Sequence, residues 1–226
     1  MVLMATKTQR TERRAGALSK ERIVEAAIEI LDADGEGGLT FRALAARLAT
    51  GSGAIYYHVA SKNDLIAATT GDVIARVMTE VLGGAEPREA IRAIALGVFD
   101  AIDAHPWVGS QLSREPWQSA VLHIFESVGE QLLALGVPER AQFDCASALV
   151  NYVLGLAGQY AAAARLLAPE TDRSAFLATV AARWAQLDPA EYPFVHQVAT
   201  QLPEHDDREQ FLAGIDLILA GITTVR

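Results

Sequence analysis

Hydrogen-bond donors of several chemical types are concentrated in one short segment of the N-terminal third. They are Thr40, Arg42, Ser52, Tyr56, Tyr57, His58 and Lys62. Hydroxyl, guanidinium, imidazole and ammonium groups donate to phosphate oxygens, and some of them also reach base edges. Small residues lie among these donors at Gly51, Gly53 and Ala54, and an alanine methyl can contact a thymine methyl. The segment therefore has the chemistry of a surface that contacts nucleic acid.

Catalytic constellations are absent from the sequence. We find no serine in a nucleophile elbow and no glycine-rich loop that would cradle a phosphate. The one His-x-x-Glu pair, His123 with Glu126, has no partner at metal-ligand spacing. The single cysteine, Cys145, excludes an internal disulfide and a cysteine-cluster zinc site. The sequence predicts a protein that is not an enzyme and that needs neither a cofactor nor a metal.

Charge is distributed unevenly along the chain, whose formal net charge is −9. Residues 1–65 carry a net charge of +1, whereas residues 66–226 carry −10. Five bases and one acid fall within the first 20 positions. This asymmetry fits a DNA-facing end on an acidic body, and it fits a solvated N-terminal tail equally well.

One uncharged stretch is long enough to cross a membrane, at 145–164. Alanine dominates it, and it contains Ser147, Asn151 and Gln159, so a buried helix is favoured over a membrane helix. The basic N-terminal residues lack the apolar block of a signal peptide. We therefore expect a cytoplasmic protein.

Apolar residues recur every three or four positions, which predicts helices nearly everywhere and no β-sheet. Ser19, Thr40 and Ser61 are the predicted N-caps of the first, second and fourth helices. The first helix should end at Asp34-Gly35, and a short third helix should lie within 51–58. Further helices are expected from Pro87 to His105-Pro106 and at about 116–135, 139–167, 171–187 and 206–223.

This order predicts an all-α chain in three parts. A flexible basic arm covers 1–18, a three-helix domain covers 19–65, and a larger helical bundle covers 83–226, with the fourth helix, to about residue 82, as the connector. Three helices with a tight turn between the second and third have helix-turn-helix geometry. In that geometry the third helix lies in the major groove.

The run LTFRALAARLATGSGAIYYHVASKNDLI resembles the N-terminal domain of the TetR (tetracycline repressor) family of bacterial regulators. The matching elements are Gly35, Leu39-Thr40, Leu44-Ala45-x-x-Leu48, Ile55-Tyr56-Tyr57-His58-Val59 and Ser61-Lys62-x-x-Leu65. A weaker resemblance continues in Tyr152-Val-Leu-Gly155-Leu, Tyr192-Pro193 and residues 211–221. It implies a DNA-binding transcriptional regulator with a C-terminal helical bundle.

The resemblance implies that Lys62 contacts the DNA backbone, and that both tyrosines lie near it with Tyr57 at the core edge. Two adjacent helical residues cannot share one face, so one of Tyr56 and Tyr57 should pack inward. Base readout looks sparse, because relatives carry longer side chains where this chain has residues 51–54. Ser52 is the best donor there, Arg42 is a further candidate, and the two glycines would allow close backbone approach. The arm, with three arginines at positions 10, 13 and 14, could enter the minor groove.

A homodimer that spans two half-sites is expected for such a small DNA-binding unit. By resemblance, helices at about 145–164 and 206–223 of each subunit form the interface. The alternative is that these helices belong to an internal core.

Surplus aromatic residues in the second domain suggest a pocket for a small apolar effector, although the same residues also describe an ordinary core. The candidate ligand contacts are Phe99, His105, Trp107, Trp117, His123, Asn151, Tyr152 and Gln159. Further aromatics are Phe125, Phe143, Tyr160 and Trp184. Relatives that bind magnesium–tetracycline carry a histidine where this chain has Leu112, so that drug is not the expected effector.

Together these features predict a repressor that a small apolar effector releases from its operator. The fourth helix would act as the lever between effector and DNA. In the alternative function, the C-terminal bundle of the DNA-binding regulator binds a protein partner instead of a small molecule.

Overall fold

The computed structural model describes residues 18–81, 85–115, 118–166 and 172–225. Within these ranges the chain is helical and contains no strand, which confirms the all-α prediction. The predicted basic arm, apart from residue 18, lies outside the described residues, and so does Trp117.

The described helices follow one another along the chain with short connections. In order they are α1 (Lys20–Gly38), α2 (Phe41–Arg47), α3 (Ser52–Tyr56), α4 (Lys62–Val81), α5 (Pro87–Ala104), α6 (Pro106–Arg114), α7 (Ser119–Ala134), α8 (Glu139–Leu166), α9 (Arg173–Trp184), α10 (Pro193–Val198), a 3₁₀ helix (Ala199–Glu204) and α11 (Asp207–Ile222).

Side-chain caps begin the first two helices, as predicted. The Ser19 hydroxyl accepts a hydrogen bond from the Arg22 amide at 3.3 Å, and Thr40 Oγ1 accepts one from the Ala43 amide at 3.0 Å. These bonds satisfy backbone donors that the first turn of a helix leaves unpaired. The apolar face of the small domain is fully buried at Ile23, Ala27, Leu44, Ile55 and Leu65.

The end of α1 differs from the prediction. The backbone leaves helical geometry at Gly35, whose φ is +64°, as predicted, but a helical segment then continues to Gly38 instead of a loop. Glycine adopts this left-handed conformation without the steric cost that a side chain would bring. The kink gives α1 a C-terminal segment with a new direction, which contains Glu36.

The connector α4 joins the two ends of the molecule. It packs against α1 on one side and against α5, α6 and α7 on the other. Buried residues along it, from Leu65 to Met78, belong to one apolar core that extends from Ile23 in α1 to Ile222 in α11. A continuous core is a physical route by which a shift in the bundle can reach the small domain.

Three helices lie where the sequence predicted only breaks. The pair His105-Pro106 ends α5, but Pro106 also begins α6 as its first helical residue. Likewise, the proline-rich stretch from residue 188 to 203 contains α10 and the 3₁₀ helix. Proline suits a helix start because its φ is already helical and its missing N–H would be unpaired there anyway.

The uncharged stretch at 145–164 lies within α8, and its described N-terminal half contributes Cys145, Leu149 and Val153 to the core. No helix in the described part of the chain is both long and apolar enough to cross a membrane.

Candidate DNA interface and effector pocket

The turn between α2 and α3 is tight because the chain reverses within residues 48–51. Ala49 adopts a positive φ of 50°, and the Thr50 amide donates to the Ala45 carbonyl at 2.9 Å. Gly51 then serves as the N-cap of α3. Two short helices held by such a turn, with α1 packed against the first of them, form a helix-turn-helix.

The outer face of α3 is exposed and bears small residues. Gly53 and Ala54 are exposed there, Ser52 is half-buried, and Arg42 projects from α2 into solvent. Apart from the local backbone, no atom of the described residues lies within 4 Å of the position that a Cβ would take at Gly51 or Gly53. This face is therefore open to the backbone of a partner molecule.

The prediction that one tyrosine packs inward, with Tyr57 at the core edge, is wrong. Tyr57 is 88% exposed and lies edge-on to His58, with ring centroids 5.4 Å apart. Tyr56 is 53% exposed and stacks on Phe41 at 4.2 Å. The helix has five residues, and its inward position is filled by the fully buried Ile55.

Lys62, the first residue of α4, is turned back toward α1. Its Nζ donates to the Glu36 carbonyl oxygen at 2.5 Å. Because an ammonium group has three donors, this bond leaves others for a phosphate. The bond fixes the lysine next to the C-terminal end of the kinked α1.

An open cavity of about 640 Å³ lies between α7 and α8, within the size range of small-molecule sites. Its apolar walls are Val121, Leu122, Phe125, Phe143, Val150 and Leu154. Its polar lining residues are Gln118, Ser147 and Asn151. None of the described lining residues is charged, so the cavity suits a neutral, apolar molecule.

Of the predicted ligand contacts, Asn151 lines this cavity, together with the aromatics Phe125 and Phe143. Phe99 instead packs on Phe211 at 5.1 Å between ring centroids, and His123 and Gln159 are exposed outside the cavity. The side chain of Tyr160 is outside the described set. Sequence reasoning missed Gln118 and Ser147, since an isolated polar residue carries no signal of the cavity it borders.

His105 and Trp107 make a structural contact with Asp32 of α1. His105 Nδ1 lies 2.7 Å from Asp32 Oδ1, and Trp107 Nε1 donates to the same oxygen at 2.7 Å. His105 also borders a smaller cavity of about 350 Å³ between α1, α4 and α5. Both residues thus join the bundle to α1 and lie away from the larger cavity.

Tyr152 also packs within the bundle. Its ring stacks on Phe211 at 5.7 Å, and its hydroxyl donates to the Phe211 carbonyl at 3.3 Å. The ring lies where a side chain at position 214 would begin, so this contact requires Gly214.

Among the described residues, no group of three potential metal ligands converges. Burial raises the pKa of the Cys145 thiol, and Asp144 nearby adds to the effect. Because the thiolate is the reactive form, Cys145 is an inert packing residue.

The fold and the exposed α3 define a helix-turn-helix DNA-binding protein with a second, helical domain. Two family descriptions match the chain: "Bacterial regulatory proteins, tetR family" over residues 23–69, and "Tetracyclin repressor-like, C-terminal domain" over residues 84–226. The chain belongs to the TetR family of transcriptional regulators, which confirms the resemblance.

Individual relatives agree with this assignment. A TetR-type transcriptional regulator from Streptomyces coelicolor is 51% identical, with a TM-score of 0.84 over 92% of this chain and 99% of its own. An HTH-type transcriptional regulator from Saccharopolyspora erythraea is 30% identical over 65% of this chain, and the match spans 63% of that protein's length. The repressor DrrR1 from Streptomyces coeruleorubidus is 27% identical over 91% of this chain and 77% of its own.

Fold similarity extends to more distant proteins. ActR from Streptomyces coelicolor, solved with actinorhodin, has a TM-score of 0.74 at 22% identity, covering 92% of this chain and 97% of its own. BioQ, solved with its natural operator, has a TM-score of 0.63 at 23% identity, covering 92% of this chain and 99% of its own.

Proposed function

We propose that the protein is a cytoplasmic repressor that binds operator DNA as a homodimer. A small, neutral, apolar effector in the α7–α8 cavity would release it. The observation that carries this proposal is the open outer face of α3 in the helix-turn-helix. The core of the helix-turn-helix is continuous with that of the helical bundle, and the bundle contains the cavity.

On the DNA side, we propose that α3 enters the major groove with its glycine-rich face against the bases. Tyr57 and His58 would lie beside the groove, and Lys62 and the Thr40 cap would contact phosphates. Residues 19–65 are the proposed DNA-binding domain and residues 1–18 a basic arm. BioQ, whose structure contains its operator, supports this role for the shared fold.

On the effector side, the cavity has the volume and apolar lining of a small-molecule site. ActR, a protein of the same fold, was solved with actinorhodin, which supports a small-molecule effector in the proposed ligand-binding domain, residues 83–226. Ligand binding would shift α4, which packs against both α1 and α7, and thereby change the separation of the two recognition helices.

Fluorescence anisotropy with labelled DNA from upstream of the protein's own gene tests the proposal. We expect tight binding that weakens as the salt concentration rises. We expect Lys62→Ala to weaken DNA binding and to reduce the salt slope, which is the slope of the logarithm of the binding constant against the logarithm of the salt concentration, by about one. The matched control is Arg183→Ala, which removes an exposed positive charge from α9 and should leave binding unchanged. Binding no tighter than to random DNA would contradict the proposed operator.

Neutral aromatic molecules provide a first probe of the effector side. We expect one of them to lower operator affinity in the wild type, and we expect Val150→Trp, which fills the cavity, to abolish the response. If aromatic probes leave operator binding unchanged while a protein partner releases the DNA, the bundle is a protein-binding domain instead.

A further inference from the structure

A chain of hydrogen bonds begins at the wall of the α7–α8 cavity. Gln118 lines the cavity, and its Nε2 donates to the Gln111 carbonyl of α6 at 3.0 Å. A carbonyl can only accept, so this bond fixes which way the amide points. Gln118 Oε1 is buried and accepts no hydrogen bond from the described residues. Gln118 therefore joins the wall of the cavity to the backbone of α6.

The next link attaches α6 to α1 at both of its ends. At the C-terminal end, Arg114 donates two parallel hydrogen bonds to the Glu36 carboxylate, at 2.6 and 3.1 Å. At the N-terminal end, Asp32 accepts the contacts from His105 and Trp107 described above. The two acids lie on either side of the Gly35 kink, so α6 holds both segments of α1. Bidentate pairs of this kind fix orientation as well as distance.

The last link reaches the proposed DNA contact. Glu36 bonds to Arg114 through its side chain, while its backbone carbonyl accepts the bond from Lys62 at 2.5 Å. One residue at the end of α1 therefore touches both the last residue of α6 and the first residue of α4.

We propose that Gln118, Arg114 and Glu36 form a relay that positions the Lys62 ammonium group. The shape of the cavity then controls the contact of Lys62 with a DNA phosphate through α1 as well as through α4. This inference rests on the proposed function. Arg114 and Glu36 lie on α6 and α1, outside α3, and act as positioning residues. The relay in its observed form holds Lys62 ready for DNA.

Glu36→Gln gives the sharpest test, because the relay and a purely electrostatic effect of the Glu36 charge predict opposite changes in DNA affinity. Removing a negative charge near DNA should strengthen binding if the charge acts only through its field. The relay predicts about tenfold weaker binding, the size of one lost charge-assisted hydrogen bond. The measurement is anisotropy with a fluorescein-labelled duplex enriched by the wild-type protein from a random library.

Arg114→Gln should weaken binding as Glu36→Gln does, and the charge-swapped pair Arg114→Glu with Glu36→Arg should recover most of the loss. Both single variants should also reduce the salt slope by about one, because Lys62 no longer holds its phosphate. A change in stability alone would leave that slope unchanged. The matched control is Glu29→Gln, an acid of the same helix that pairs with Arg47 at 2.5 Å and has no link to Lys62.

Double-mutant cycles complete the test. In a Lys62→Ala background, Glu36→Gln and Arg114→Gln should have no further effect, and Gln118→Leu should be non-additive with Arg114→Gln. Tighter binding by Glu36→Gln, or losses that add to that of Lys62→Ala, would overturn the relay while leaving the proposed function standing. Failure of the wild type to enrich any duplex would overturn both.

Discussion

Gly53 lies within α3 with open space where a side chain would begin. Nothing in the described chain requires a glycine there, and glycine within a helix costs about 0.5–1 kcal/mol relative to alanine. We infer that DNA approaches the backbone of α3 at this glycine. We predict that Gly53→Ala raises Tm yet weakens operator binding about tenfold, the size of one lost base contact.

Gly129→Ala is the control for this prediction. Gly129 lies within α7, also with open space at the Cβ position, so alanine should stabilise the protein to a similar extent without affecting DNA. Thermal unfolding and anisotropy on both variants separate the two effects. A Gly53→Ala protein that binds its operator with wild-type affinity would show that the backbone of α3 does not approach the bases.

Residue type alone predicted the caps, because the contacts of Ser19 and Thr40 are local. It did not predict the partners of His105 and Trp107, which depend on Asp32, more than 70 positions away. An aromatic residue in a ligand site and one that fixes a helix junction look the same in sequence. The cavity residues Gln118 and Ser147 were missed for the same reason, since the packing of α7 on α8 decides what they line.

At the scale of elements, apolar periodicity located most helices because it reflects which face is buried. It failed at α6, where Pro106 was taken only as the end of one helix although it also begins the next, and at α10, where the proline-containing stretch after residue 187 was left without a helix. The break at Gly35 was predicted, but the helical segment that follows it to Gly38 was not. A glycine with a positive φ can lie at the end of a helix or at a kink within one. Here the residues after Gly35 are held by tertiary contacts, such as those of Glu36 with Arg114 and Lys62.

The packing of α8 on α11 gives a prediction at this scale. The Tyr152 ring occupies the space where a side chain at position 214 would start. We expect Gly214→Ala to destabilise the protein by about 1–3 kcal/mol, because the two helices must separate or the ring must move. Denaturant unfolding measures the loss.

Two further variants identify the cause of the stability loss in Gly214→Ala. Tyr152→Phe removes the hydroxyl and should cost no more than about 1 kcal/mol, while Tyr152→Leu should reduce the cost of adding Gly214→Ala. If the two substitutions are additive, the ring and the glycine are not in the tight contact described.

At the scale of the whole molecule, the proposed dimer depends on the outer faces of α8 and α11. From residue 211 to the end of α11 the exposed positions are Ala213, Leu217, Ala220 and Gly221, spaced as one face of a helix. Leu217 is 75% exposed, and small residues on either side of it allow a second helix to approach closely. Two such subunits would place two α3 helices on successive half-sites of the same DNA face.

We therefore predict that Leu217→Glu converts the dimer to monomers at micromolar concentration. Burying an unpaired carboxylate costs about 3–5 kcal/mol, enough to weaken self-association by more than about a hundredfold. Operator affinity should fall as self-association weakens, because each monomer binds a single half-site. The control is Leu133→Glu, which places the same charge at a 60% exposed leucine on α7, outside the proposed interface. Sedimentation equilibrium on the two variants decides, since dimers that persist in Leu217→Glu would place the interface on another face.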